Sequence, residues 1–165
     1  MKKICLFFVI VGGLFLLQPA ESEAKLLGVH LDATLGGSHT FRVGSPSDEP
    51  ALGSNIEILP SLQFLMFSAD MGIHYNFAAN ALTLRPGARL HLGWLYLRAA
   101  IPMAFGLEQT SEPFDLGILV GVGARVHLGQ FALVAEANVS PFFLHVNEKG
   151  LSMPAEIRLG LAYRF

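Results

Sequence analysis

Past an apolar opening stretch, the hydrophobic residues of this chain fall on every second position. Leu27, Val29, Leu31, Ala33 and Leu35 alternate with Gly28, His30, Asp32, Thr34 and Gly36. A strand turns successive side chains to opposite faces, so this period of two predicts a strand with one apolar and one polar face. The same pattern recurs over 54–60, 65–77, 82–92, 95–105, 116–128, 131–141 and 156–165, giving eight predicted strands. Residues 37–53, 107–114 and a stretch near 144–153 carry loop chemistry. Pro60-Ser61, Gly93 and Gly129 read as tight turns, and 78–81 as a short connection. A heptapeptide repeat supports this register: Gly87-Ala-Arg-Leu-His-Leu-Gly93 returns as Gly123-Ala-Arg-Val-His-Leu-Gly129. Each copy ends a strand and turns at glycine, so the repeated unit is a hairpin.

The two faces differ in charge as well as in hydropathy. One face of nearly every strand carries no charge. The other collects Asp32, Glu57, Asp70, Arg85, Arg89, Arg98, Arg125, Glu136, Glu156, Arg158 and Arg164. Six arginines against five acids nearly cancel, which predicts pairing across a shared interior. Aromatic residues gather near predicted strand ends. Trp94, Phe131, Tyr163 and Phe165 lie toward the tight turns, and Tyr75, Phe77, Phe105, Phe142 and Phe143 toward the longer connections.

Composition narrows what such strands can build. The chain is 52% hydrophobic, yet after its opening no apolar run approaches the roughly 20 residues of a spanning helix. A closed barrel is the other structure that satisfies its own backbone in lipid. The opening itself, Lys2-Lys3 followed by an apolar run and a small-residue site at Ser22-Glu-Ala24, has the order of a secretory signal peptide. The expected division is therefore 1–24 as signal peptide and 25–165 as one barrel domain. Cys5, the one cysteine, lies in the signal, so no disulfide or thiol chemistry is expected afterwards. A net charge of −2 offers no basic excess for nucleic acid.

The closing strand carries a more specific pattern. Arg158, Gly160, Tyr163 and the terminal Phe165 resemble the C-terminal β-signal of bacterial outer-membrane barrels. The resemblance implies recognition by the barrel-assembly machinery and closure of the last strand on the first. With the even strand number, the alternating loops and the aromatic girdles, the chain resembles the small OmpA/OmpX-type barrels. The expected fold is all-β: an eight-stranded antiparallel up-and-down transmembrane β-barrel. A charged side chain facing lipid at mid-membrane costs about 2–4 kcal/mol, so the uncharged face is expected outside. The charged face then fills a lumen that eight strands leave just wide enough for side chains.

For function, the expectation is a non-enzymatic outer-membrane protein with a structural or surface-interaction role, without cofactor and monomeric. Its expected partners are outer-membrane lipid and lipopolysaccharide. A small pore is the alternative, opposed by the bulky interior arginines. A lipid A-modifying enzyme is the second, and would need a nucleophilic Ser with a His and a carboxylate. Ser38 with His39, and His145 with Glu148, are the candidates, but the deacylase family's His-x-Ser pairing is absent. His74, His91 and His127 share the polar face without the tight spacing of a metal site.

Overall fold

The computed structural model describes residues 27–43, 52–106, 115–142 and 151–165. The predicted signal peptide, much of the predicted loops, Phe143, His145 and Glu148 lie outside that set. Ten strands are defined in chain order: β1 (Leu27–Val43), β2 (Leu52–Phe64), β3 (Phe67–Asn76), β4 (Ala81–Leu92), β5 (Leu95–Ala100), β6 (Met103–Gly106), β7 (Asp115–Leu116), β8 (Leu119–Leu128), β9 (Phe131–Val139) and β10 (Leu151–Arg164). They make eight staves, because β5 with β6 and β7 with β8 are each one stave interrupted by two residues. Every neighbouring pair is antiparallel, and β1 pairs with β10 from His30↔Arg164 to Val43↔Leu151, which closes the barrel.

The interruptions have a covalent cause. Pro102 has no N–H to give to a ladder, and β5 and β6 part at Ile101 and Pro102. The gap is spanned by Ile101 N–H donating to the Pro86 carbonyl and Gly117 N–H to the Pro102 carbonyl.

Three boundaries differ from the sequence pattern. Residues 37–43, predicted as loop, continue β1: all of them pair with β10, from Gly37↔Ile157 to Val43↔Leu151, and 37–39 pair with β2 as well, from Gly37↔Ser54 to His39↔Leu52. These ladder bonds outweigh the polar, glycine-containing local sequence. Pro60-Ser61 does not turn the chain. Pro60 sits within β2 opposite Leu31, and the β2–β3 ladder skips from Ile58↔Ile73 to Ser61↔Asp70 where its missing N–H falls. The turn comes at Leu65 and Met66, with Leu65 at φ 52, an unusual setting for a residue other than glycine. Finally, β9 ends at Val139, and β10 begins at Leu151, inside the predicted last loop.

The repeat survives as two similar hairpins, with Gly93 at φ 70 and Gly129 at φ 71. Glycine takes this left-handed setting without the steric cost of a Cβ. Along the staves, the uncharged face is exposed and the charged face buried: β3 alternates strictly from Phe67 through Ser68, Ala69, Asp70, Met71, Gly72, Ile73 and His74. Buried polar and charged side chains outnumber buried apolar ones among the described residues.

Candidate functional site: the charged interior

Every stave sends at least one charged side chain inward. Asp32 comes from β1, Glu57 from β2, Asp70 from β3, Arg85 and Arg89 from β4, Arg98 from β5, Arg125 from β8, Glu136 from β9, and Glu156 and Arg158 from β10. All ten are buried, five arginines against five carboxylates, so their formal charges cancel. Arg164, also predicted to join them, is only half-buried and makes no ion pair among the described residues.

The ten form interlocked contacts rather than isolated pairs. Toward the tight-turn end, Arg89 and Arg125 both donate to Oδ2 of Asp32, at 2.6 and 2.5 Å. Above them Arg98 reaches Glu57 at 3.0 Å, Glu136 at 3.0 Å and Asp70 at 3.6 Å. Arg85 grips Glu156 with both terminal nitrogens, at 2.9 and 2.7 Å. Such bidentate pairs are among the stronger charge-assisted bonds. Arg158 is paired with Glu57 and Glu136, and lies 3.8 Å from Glu156.

The strand register explains why the acids are needed where they stand. Arg89 and Arg98 are direct cross-strand partners on β4 and β5, and like charges placed so repel. Asp70 offsets them, 3.1 Å from Nε of Arg89 and within ion-pair reach of Arg98. The proximity of Arg125 to Glu136 on adjacent staves does not produce a pair: Arg125 turns to Asp32, while Glu136 takes Arg98 and Arg158.

Several groups outside the predicted network complete it. Tyr96, buried beneath Arg89, donates from its hydroxyl to Glu136 at 2.7 Å, and Asn138 donates to the same carboxylate at 3.1 Å. The guanidinium of Arg89 lies 5.1 Å from the Tyr96 ring centre, within cation–π range. Parity along β5 places Tyr96 on the face of Arg98; its aromatic character alone gave no sign of a polar partner. Gly123 makes room for it, since a Cβ there would collide with the Tyr96 ring.

The remaining predicted residues fall elsewhere. Arg158 of the closing pattern belongs to the charge core, and Gly160 meets the β1 backbone so closely that a Cβ would strike Ala33 and Thr34. Tyr163 packs against Phe131 and Phe165, with ring centres 5.1 and 4.9 Å apart. Tyr75 packs edge-on against Phe77 and donates to Asn80; Trp94 and Phe105 are partly exposed. Phe142 departs from its predicted place on the outer rim. It is buried, because β9 ends at Val139 and the chain returns inward to bridge Gly117. Phe41, Phe64 and Phe67 are exposed at stave ends instead. Sequence reading missed them because it placed the first loop and the first turn wrongly.

Ser38 and His39 lie on opposite faces of β1. Ser38 is buried, donating to the Gly53 carbonyl at 3.3 Å, while His39 is outside, packed edge-on against Phe41. A serine and base on opposite sides of a sheet cannot share a proton. His91 meets Ser68 at 3.0 Å and His74 lies 3.4 Å from Glu156, whereas His127 is exposed. Among the described residues no cluster of three His, Cys, Asp or Glu could hold a metal ion.

No family model matches the chain, and no curated protein matches it. Among solved structures it is similar to Neisserial surface protein A (NspA), with a TM-score of 0.54 and 16% identity over 83% of this chain and 97% of that one. Ail, the attachment invasion locus protein of Yersinia pestis, solved in complex with the heparin analogue sucrose octasulfate, gives a TM-score of 0.40 at 12% identity over 84% and 97%. At that score the second likeness bears no weight. The first shows the fold: a small, closed, eight-stranded antiparallel barrel of the outer-membrane type.

Proposed function

We propose that this chain is an integral protein of the bacterial outer membrane, exported through a cleaved signal peptide, with a structural or surface-interaction role and a lumen closed by its own side chains. One observation carries the reading: the barrel is inside out relative to a soluble one. Its wall exposes Leu35, Leu97, Val122, Ile157 and Leu159, while ten charged groups are buried within. Soluble monomers rarely expose contiguous apolar area on this scale. In lipid the arrangement is the stable one, because the apolar wall meets acyl chains and the charges meet one another.

The interlocked core supports a plugged barrel over a pore. A water-filled channel would leave these charges solvated, whereas here each carboxylate is held by at least one guanidinium across the lumen. The separation of Ser38 from His39 counts against that pair as lipid-modifying machinery. Interaction chemistry is then left to the connections opposite the tight turns. Insertion by the barrel-assembly machinery, through the strand ending in Tyr163 and Phe165, belongs to the same reading, as does a monomeric state among lipid and lipopolysaccharide.

Planar-bilayer conductance, with membrane fractionation alongside, tests it. The expected result is heat-modifiable barrel in the outer-membrane fraction and no steady conductance. A stable ion-selective current would replace the plugged barrel by a pore.

A further inference from the structure

Small side chains leave a groove on the outside of the barrel. Leu97, Val122, Ala137, Ile157 and Gly37 are successive cross-strand partners, so they form one outward row over β5, β8, β9, β10 and β1. Val120, Val139, Ala155 and His39 form the next row. Between them lies an open groove of about 760 Å³ with almost wholly apolar walls. Ala137, Ala155 and Gly37 make its floor. Among the described residues a Cβ on Gly37 would meet only the Gly53 carbonyl, at 3.8 Å, so none of them covers the floor there.

The groove has a direction. Leu97 is the third residue of β5, close to the turn at Gly93 and Trp94, whereas Gly37, His39 and Phe41 lie far along β1, toward the connection opposite the tight turns. Barrel strands tilt by about 35–45°, so a row crossing five of them climbs the wall. Its upper end carries His39, the polar side chain of these two rows, half-exposed and held edge-on by Phe41 with ring centres 4.5 Å apart.

We propose that this groove binds one acyl chain of a phosphate-headed lipid from the loop-side leaflet, with the headgroup at His39. The inference rests on the membrane reading above. The groove is continuous with the wall that reading places in lipid, and its shape selects the occupant. A long, oblique channel with a polar upper end matches an amphiphile, whereas a second barrel would present a broad convex wall. An imidazole can donate to a phosphate oxygen, and an apolar channel can take successive methylenes.

The test inserts the full chain into phosphatidylethanolamine vesicles containing phosphatidylglycerol with a photoactivatable group at mid-chain. Adducts are then mapped by mass spectrometry. The expected result is labelling concentrated on β1, β9 and β10 over the opposite wall of β3 and β4. Two separate filling variants, Ala137→Leu and Ala155→Leu, should each lower it by several-fold to about tenfold, as a lost contact of one or two methylenes implies. His39→Leu should lower labelling by the phosphate-headed probe and spare that by a diacylglycerol probe. Even labelling around an inserted barrel, indifference to both filling variants, or adducts displaced by crosslinks between two chains would overturn the groove alone. Failure of the parent chain to insert, read by heat-modifiability, would overturn the membrane reading with it.

Discussion

Arg89 and Arg125 occupy matching positions of the two heptapeptide copies and converge on a single oxygen, Oδ2 of Asp32. They come from β4 and β8, which are not neighbours, and Asp32 comes from β1, so the contact fastens three separate staves across the lumen. Removing that carboxylate leaves two buried guanidinium groups facing each other. Breaking a buried pair costs about 3–5 kcal/mol, and Asp32→Asn is expected to reach at least the lower end of that range. Urea unfolding in lipid vesicles measures it; a loss near zero would mean the lumen is wet enough to screen the pair.

A double-mutant cycle separates true partners from mere neighbours. Arg125→Met combined with Asp32→Asn should cost less than the two changes summed, by about 1–3 kcal/mol. Arg125→Met combined with Glu136→Gln should be additive within about 0.5 kcal/mol, because the two side chains share no ion pair. Strong coupling in the second cycle would contradict the pairing pattern.

Asp70 relieves the repulsion between the cross-strand arginines of β4 and β5. Asp70→Asn is therefore expected to destabilise the barrel, and Arg89→Met should suppress part of that loss by removing one member of the repelling pair. The comparison uses unfolding midpoints of the two singles and the double. An Asp70→Asn loss unchanged in the Arg89→Met background would show that Asp70 acts on something other than this pair.

The barrel wall and the barrel interior should answer differently to substitution. Val122→Arg puts a charge on the exposed face and should cost about 2–4 kcal/mol in a bilayer. Gly123→Ala, one residue on, faces inward and should cost about 1–3 kcal/mol by overpacking against Tyr96. In a Tyr96→Ala background the second cost should largely vanish. Persistence of the full penalty there would place its origin in the backbone instead of the ring.

Much of this was written in a period of two. Alternation along 67–76 and 131–139 settles which side chains share a face, because a strand cannot turn two neighbours the same way. It therefore placed Asp32, Glu57, Arg98 and Arg158 together in one interior, and the glycine that closes each copy of the repeat located two of the turns. Parity is silent on distance around a closed wall. That Arg125 crosses to Asp32 and leaves Glu136 to Arg98 and Arg158 depends on stagger and side-chain reach, which are set only when β1 meets β10. The same closure keeps residues 37–43 in a strand, since the ladder to β10 runs the whole length of that segment and overrides a local sequence that reads as loop. Pro60 marks the opposite limit. Its missing N–H is a local fact, but whether that absence bends the chain or merely leaves a gap in one ladder was decided by the neighbour on its other side, Leu31.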